Sequence, residues 1–431
     1  MAAKSNLSVV IDIGTSKIAA LAGQKTEEGK IEILGMAQAP SKGIKRGAVF
    51  NIDDVATAVN LVIGEIENQT EEEVRVVSVS FAGQYMKALK YRGYRYTSGE
   101  GVVTKADLNE LYNEARNLKV EQDYKTIHVI PQSFLVDEEA ADLNPVGITG
   151  RKLEANYKLI IVPEVQLTNI QKVFDKLGIE IEEIVLSPLA VSEAVLTDDE
   201  KEIGAMVLDI GAGTTKLAVY HENVLTHIAV VPFGGNVITS DIKEGCSILA
   251  KWAEQLKIKY GQALGDFADE QKVVTIPGYN GWEPKEISFK SLAFIIQARL
   301  EEIVDSVFVQ LEKSEIDGQV GSGIVITGGT SNLNNVISLV KFRTGMDARK
   351  AFSVIHPVNK RKEFQNHEYL TALGLLKLSL NNTPVFQEKE KEKEKQKKTK
   401  RKKDGNGSSW MRVVQGVLDY IDDDNDDVAM K

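Results

Sequence analysis

Apolar residues in this chain follow two spacings, and the spacing changes along its length. At 7–13, 17–24 and 30–37 they form short, nearly continuous runs bounded by turn residues, the mark of buried strands. From residue 55 the period becomes helical: Val55, Val59, Val62, Ile63 and Ile66 fall on one face, with Asp53 or Asp54 placed to cap the helix. V-R-V-V-S-V-S-F at 74–81 reads as another buried strand. Residues 84–163 have a different make-up: predicted strands at 87–95, 126–136 and 156–162 surround one helix at 105–118 behind the cap Thr104, a small α+β insert. Strand–helix alternation then resumes with a helix at 166–177 and a strand pair from residue 205. Helices at 243–260 and 291–313 flank a strand-like patch at 273–289, a further strand ends at Thr327, and a helix at 368–380 closes the body.

With 431 residues, the chain is long enough for two or three domains. Apolar content of 43% and charged content of 26% are those of a soluble globular protein. Cys246 is the single cysteine, which excludes an internal disulfide framework and reads as a buried, inert thiol. No apolar run approaches a membrane span, and Asp12 interrupts the only one near the N-terminus, so no signal peptide is expected. The net charge of −10 is segregated: residues 388–403 carry ten Lys/Arg against four Glu, and residues 404–431 seven Asp against Arg412 and Lys431. The remaining body is acidic, which argues against nucleic acid as a partner.

The chemistry sits where strands end. V-V-I-D-I-G-T-S-K at 9–17 and M-V-L-D-I-G-A-G-T-T-K at 206–216 repeat an apolar run, Asp-Ile-Gly and a hydroxyl pair. Glycine there permits a tight turn that brings backbone N–H groups close to an anion, and Thr or Ser hydroxyls add donors. An Asp at the strand end suits a hydrated Mg²⁺ rather than phosphate itself. Two such hairpins facing each other would clamp one nucleotide from both sides, each heading one half of the chain. A third strand ends in G-G-T at 328–330. The five histidines, His128, His221, His227, His356 and His367, show no metal-ligand spacing, and no nucleophile pairing stands out.

The order D-I-G-T-S-K (12–17), D-I-G-A-G-T-T-K (209–216), I-T-G-G-T-S-N-L (326–333) resembles the actin/Hsp70/sugar-kinase ATPase superfamily. Within it the chain is similar to the FtsA family of bacterial actin homologues, which link the division ring to the membrane. That likeness is carried by G-I-K-R-G-A-V-F-N-I-D (43–53), V-S-F-A-G-Q-Y (79–85), L-S-P-L-A-V-S-E-A-V-L-T (186–197), F-G-G-N-V-I-T-S-D-I (233–242), A-E-Q-L-K-I-K-Y-G (253–261) and F-I-I-Q-A-R-L-E-E-I (294–303). The resemblance implies an α/β, two-domain actin-like ATPase fold. Its first domain (1A) would span 1–83 and 164–200, with a 1C-type α+β subdomain inserted at 84–163. The second domain (2A) would span 201–242 and 298–385, with its smaller lobe (2B) at 243–297. By the same likeness ATP and Mg²⁺ are expected. Gly14, Thr15, Ser16 and Lys17 would hold the phosphates from one side and Gly211, Gly213, Thr214 and Thr215 from the other. Asp12 and Asp209 would orient Mg²⁺ through water, Glu254 and Lys257 would meet the ribose, and Gly328, Gly329 and Thr330 would pack against adenosine. Three positions depart from hydrolytic relatives. Ala212 and Lys216 stand where many read Gly and Asp, and Ser187 where a Gln or Glu often orients water, so slow or absent hydrolysis is expected.

The tail is a separate object. Residues 386–408 are charged, nearly free of apolar residues and expected to be a flexible linker. In 409–421 an apolar stripe follows, as Trp410 precedes Val413, Val414, Val417, Leu418 and Ile421 at helical spacing, too short to span a bilayer but suited to its interface. An acidic end, 422–431, completes the chain. The family resemblance implies self-assembly into filaments, contact with membrane lipids on the cytoplasmic face at the division site, other division proteins, and the C-terminal peptide of FtsZ as partner, with Arg299 the residue expected to meet it. A small-molecule kinase of the same superfamily, or a pilus-assembly actin homologue, would share the nucleotide motifs but have no use for this tail.

Overall fold

A computed structural model describes residues 7–98, 101–278, 283–312, 320–359 and 367–381. It holds two five-stranded sheets of one topology. In the first, Ser8–Ile13 has antiparallel Lys17–Lys25 and then Ile31–Pro40 on one side, and parallel Val76–Phe81 and then Glu180–Leu186 on the other. In the second, Ala205–Ile210 has antiparallel Thr215–His221 and Val224–Val231 on one side and parallel Ile324–Thr327 and Ala348–Lys350 on the other. Each hairpin turn therefore lies at the carboxyl ends of its sheet's parallel strands, the place where α/β sheets open a crevice.

Why the leading strands read as unbroken apolar runs is visible in Ala205–Ile210, buried at every position. Side chains alternate faces along a strand. Ala205 and Val207 join the core of the first half, while Met206, Leu208 and Ile210 join that of the second. Helices Ile52–Thr70 and Glu164–Leu177 cover the first sheet. Ser187–Val195 and Leu370–Leu380 pack on each other, and at Gly374 a Cβ would stand 1.8 Å from the Ala190 carbonyl oxygen.

The insert is a four-stranded sheet in the order Lys87–Tyr96, Lys152–Pro163, Tyr124–Val136, Glu139–Ala141, with one helix, Lys105–Arg116. Thr104 and Asp107 close a reciprocal capping box there. Leu111, Phe134, Leu153 and Leu159 belong to a core of its own.

Four local expectations change or sharpen. Asn51, not Asp53 or Asp54, caps the first helix, because its Oδ1 accepts from both of their N–H groups. The helix expected over 243–260 is two, Gly235–Gly245 and Ala250–Tyr260, since Ser247 turns left-handed at φ 50°. Cys246, in that break, is only partly buried. The patch at 273–289 is a hairpin of Val273–Ile276 and Lys285–Ser288 leading into the helix Phe289–Glu312. No helix among the described residues is long and apolar enough to cross a membrane.

Candidate functional site

Both leading strands reverse in turns of one length. Gly14 N–H donates to Lys17 C=O, and Gly211 N–H to Thr214 C=O, each at 3.0 Å. Ile13 then faces Ile18 and Asp12 faces Ala19, while Ile210 faces Thr215 and Asp209 faces Lys216. By this register Thr15-Ser16 corresponds to Ala212-Gly213, and Lys17 to Thr214. The hydroxyl pairs that look alike in the sequence occupy different places.

The two turns meet. A Cβ on Gly213 would come within 2.7 Å of Thr15 Oγ1 and Cγ2, so only glycine lets them approach this closely. Thr15 Oγ1 also accepts from Gly47 N–H at 3.1 Å. The helix Gly235–Gly245 starts directly on the second turn: Gly235 and Asn236 N–H donate to the Gly211 and Ala212 carbonyls, each at 2.8 Å. Gly328, at φ +86°, backs onto the same hairpin, where a Cβ would lie 2.4 Å from the Ile210 carbonyl oxygen. Gly329, one residue on, has open space in front of it.

These elements enclose a cavity of about 400 Å³. Of the residues expected to form the site, Asp12, Gly14, Thr15, Ser16, Lys17, Asp209, Gly211, Thr214, Glu254, Lys257, Gly328, Gly329 and Thr330 line it. Gly213 and Thr215 do not; the first is spent on the contact between turns. Thr215 is fully buried and its hydroxyl donates to the Phe233 carbonyl at 2.8 Å. Sequence reasoning missed Asn236, Asn332, His367 and Glu368, which also line the cavity. For Asn236 a signal existed, since Gly-Gly-Asn ahead of a helical apolar period marks a helix N-terminus. His367 carried none.

Among the described residues three ammonium groups face the cavity, and each has a carboxylate. Lys216 Nζ lies 2.6 Å from Asp209 Oδ2, Lys257 Nζ 2.8 Å from Glu254 Oε2, and Lys17 Nζ 3.6 Å from Glu368 Oε1. Lys257 also donates to the Gly235 carbonyl at 2.9 Å and to Thr239 Oγ1 at 2.7 Å, holding the Ala250–Tyr260 helix to the start of its neighbour. Asp12 accepts from Ser80 Oγ at 2.7 Å. Burial lifts the Asp12 carboxyl above its ordinary value despite the Lys216 charge, and burial lowers Lys17 although Glu368 opposes it. For Lys216 burial works downward, but Asp209 and then Asp12 outweigh it and the ammonium is held above its usual range. His367 is lowered by burial; its ring lies 3.0 Å from Asn332 Nδ2. Ser187 Oγ is buried at the wall and has no hydrogen-bond partner among the described residues. Backbone N–H groups in tight turns, hydroxyls and fixed ammonium groups around one cavity form an arrangement that can hold a polyanion.

Arg299 is elsewhere, on the helix Phe289–Glu312, where its guanidinium binds Asp241 through two nitrogens and Glu302 through a third. The stripe of Trp410, Val413, Val414, Val417, Leu418 and Ile421 lies outside the described residues.

Comparison with known proteins fits this architecture. Residues 206–374 match the family model of the cell division protein FtsA, and residues 83–161 that of the SHS2 domain inserted in FtsA. The cell division protein FtsA of Neisseria meningitidis is 34% identical over 333 residues, covering 77% of this chain and 80% of the relative. That of Pseudomonas aeruginosa is 31% identical over 373 residues, covering 86% and 89%. Among solved structures, the PilM-PilN type IV pilus biogenesis complex superposes with a TM-score of 0.58 at 15% identity, over 86% of this chain and 98% of that one. MreB 5 of Spiroplasma citri bound to AMPPNP gives 0.52 at 13% identity, over 87% and 96%. At such low identity the last two establish the actin-like fold alone. The relatives decide the rest: this chain belongs to the FtsA family of cell division proteins.

Proposed function

We propose that the cleft binds ATP and that the chain is a self-assembling actin-like adaptor holding FtsZ filaments to the cytoplasmic face of the membrane while the septum forms. The observation that carries the reading is the convergence of two hairpin turns and the Gly328–Gly329 step on one cavity, from strands some 300 residues apart in sequence. Gly14 to Lys17 and Gly211 to Thr214 would hold phosphates, and Gly328 to Thr330, with Glu254 and Lys257, the nucleoside. Bound ATP would supply a ligand joining both halves, and so a reason for assembly to depend on nucleotide. The space before Gly329 gives the test. Gly329→Trp fills the cavity without touching the core and should abolish ATP binding in a calorimetric titration while leaving the melting temperature unchanged. Unaltered affinity would remove the assignment.

Turnover should be slow, because Ser187 and Lys216 stand where water-orienting and acidic groups are found in hydrolytic relatives. Steady-state assays should give rates far below the enzyme median of about 10 s⁻¹. The amphipathic stripe at 409–421 would lie in the membrane interface, the basic run before it drawn to anionic lipid by about 1 kcal/mol per Lys or Arg. Vesicle flotation should be lost on truncation after Asn382 and in Trp410→Glu/Leu418→Glu. An FtsZ C-terminal peptide would dock on the smaller lobe, and Arg299 reaches it only by exchanging Asp241 for a partner carboxylate. Arg299→Glu should therefore abolish co-pelleting with FtsZ.

The fit of Mg²⁺ is poor, because Asp209 already holds an ammonium and Asp12 a hydroxyl.

A further inference from the structure

We propose that the Lys216 ammonium takes the place of a divalent cation in this cleft, so that the chain itself neutralises the phosphates of a bound nucleoside triphosphate. The inference rests on reading the cleft as an ATP site. Its basis is position. Lys216 sits opposite Asp209 in the hairpin register, and its Nζ is 2.6 Å from Asp209 Oδ2. The same Nζ is 3.6 Å from where a Cβ on Gly211 would stand, so the charge lies alongside the turn whose backbone faces the cavity. Both side chains are largely withdrawn from solvent, at 13% and 7% exposure, which keeps the charge fixed rather than swinging.

An acid at 216 would have placed a third carboxylate beside Asp12 and Asp209, a set that requires a cation. The lysine removes one acid and supplies the cation, and a dication brought between the same two carboxylates would meet that ammonium at short range through a poorly screening medium. Neither of the other two ammonium groups stands opposite a cavity carboxylate in a hairpin register. Lys17 is engaged by Glu368, and Lys257 is held by Gly235, Thr239 and Glu254. The first hairpin has no counterpart, because Ala19 stands opposite Asp12.

The test is ATP affinity of the full chain, titrated calorimetrically with Mg²⁺ present and then with EDTA. Wild type should bind equally in both buffers to within about threefold. Lys216→Gln keeps a hydrogen-bond donor for Asp209 and should lose affinity about tenfold or more in EDTA, regaining it with Mg²⁺. Lys216→Met, which keeps the buried stem, serves if the first variant fails a thermal melt. A wild-type affinity that collapses in EDTA overturns the proposal and leaves the ATP site standing, as does a Lys216→Gln variant indifferent to Mg²⁺. Absence of ATP binding in both buffers overturns the reading of the cleft and this inference with it.

Discussion

The two hairpins share length, register and place in their sheets, yet they solve one electrostatic problem differently. Each ends its leading strand in an Asp at the cavity, Asp209 buried and Asp12 partly so. In the first hairpin the cross-strand neighbour is Ala19 and Asp12 accepts from a neutral hydroxyl, Ser80; burial raises its carboxyl although Lys216 and the Ser80 bond oppose the rise. In the second the neighbour is Lys216 and the carboxylate is matched by a full opposite charge. A repeated sequence thus fixes backbone geometry without fixing charge. What sits across the strand decides whether a buried acid is a strain or a brace.

Substitutions can break this contrast. The largest effect should come from Asp209→Ala, which strands the Lys216 ammonium in a buried site at a cost of about 3–5 kcal/mol in urea unfolding. Asp209→Ala/Lys216→Met should recover most of that loss, since removing both charges removes the mismatch. Acid is the perturbation both halves share. His128 accepts from the Leu186 N–H at 3.2 Å beside the first sheet, and His227 lies on the edge strand of the second; burial pushes each down to about 4. A folded-state value below the unfolded 6.5 means stability is full above pH 6.5 and is lost as pH falls towards 4. For His128 the loss should reach about 3 kcal/mol, and His128→Gln should flatten the pH dependence of the unfolding midpoint.

Smaller again is Gly213→Ala, expected to cost about 1–3 kcal/mol because its Cβ meets Thr15, whereas Ser16→Ala at the matching position of the first turn should change stability by less than about 0.5 kcal/mol. The least change is expected from Asp12→Asn. A carboxyl raised in the folded state stabilises only below its unfolded value and detracts above it. At pH 7 the variant should therefore melt at or slightly above the wild-type temperature, the opposite sign to Asp209→Ala.

Much of the site was legible because its chemistry is backbone chemistry. Asp-Ile-Gly after an apolar run, and Gly-Gly-Thr after another, announce tight turns at strand ends, and strand ends of α/β sheets are where cavities form. Register was not legible. Matching Thr15-Ser16 to Thr214-Thr215 by letter shifted two residues; the pairing of Asp209 with Lys216 fixes the register, and the burial of Thr215 with its bond to Phe233 shows that it points into the protein. Boundaries failed where a side chain outcompeted a rule: Asn51 took the cap from the aspartates, and Ser247 broke a helix whose apolar period ran on. His367 and Glu368 reach the cavity from a segment that starts 107 residues beyond the Ala250–Tyr260 helix, a proximity with no local trace.

The contact of Gly374 with Ala190 has a consequence for how this sequence can drift. Around it lie Leu370, Leu373, Leu375 and Leu376, apolar positions where one hydrocarbon side chain can replace another at modest cost. Position 374 has no such neighbours in sequence space: any other residue places carbon 1.8 Å from a carbonyl oxygen. Every single-step path away from glycine must push both helices apart at once, so a descendant can leave this residue only by remodelling the partner helix in the same lineage.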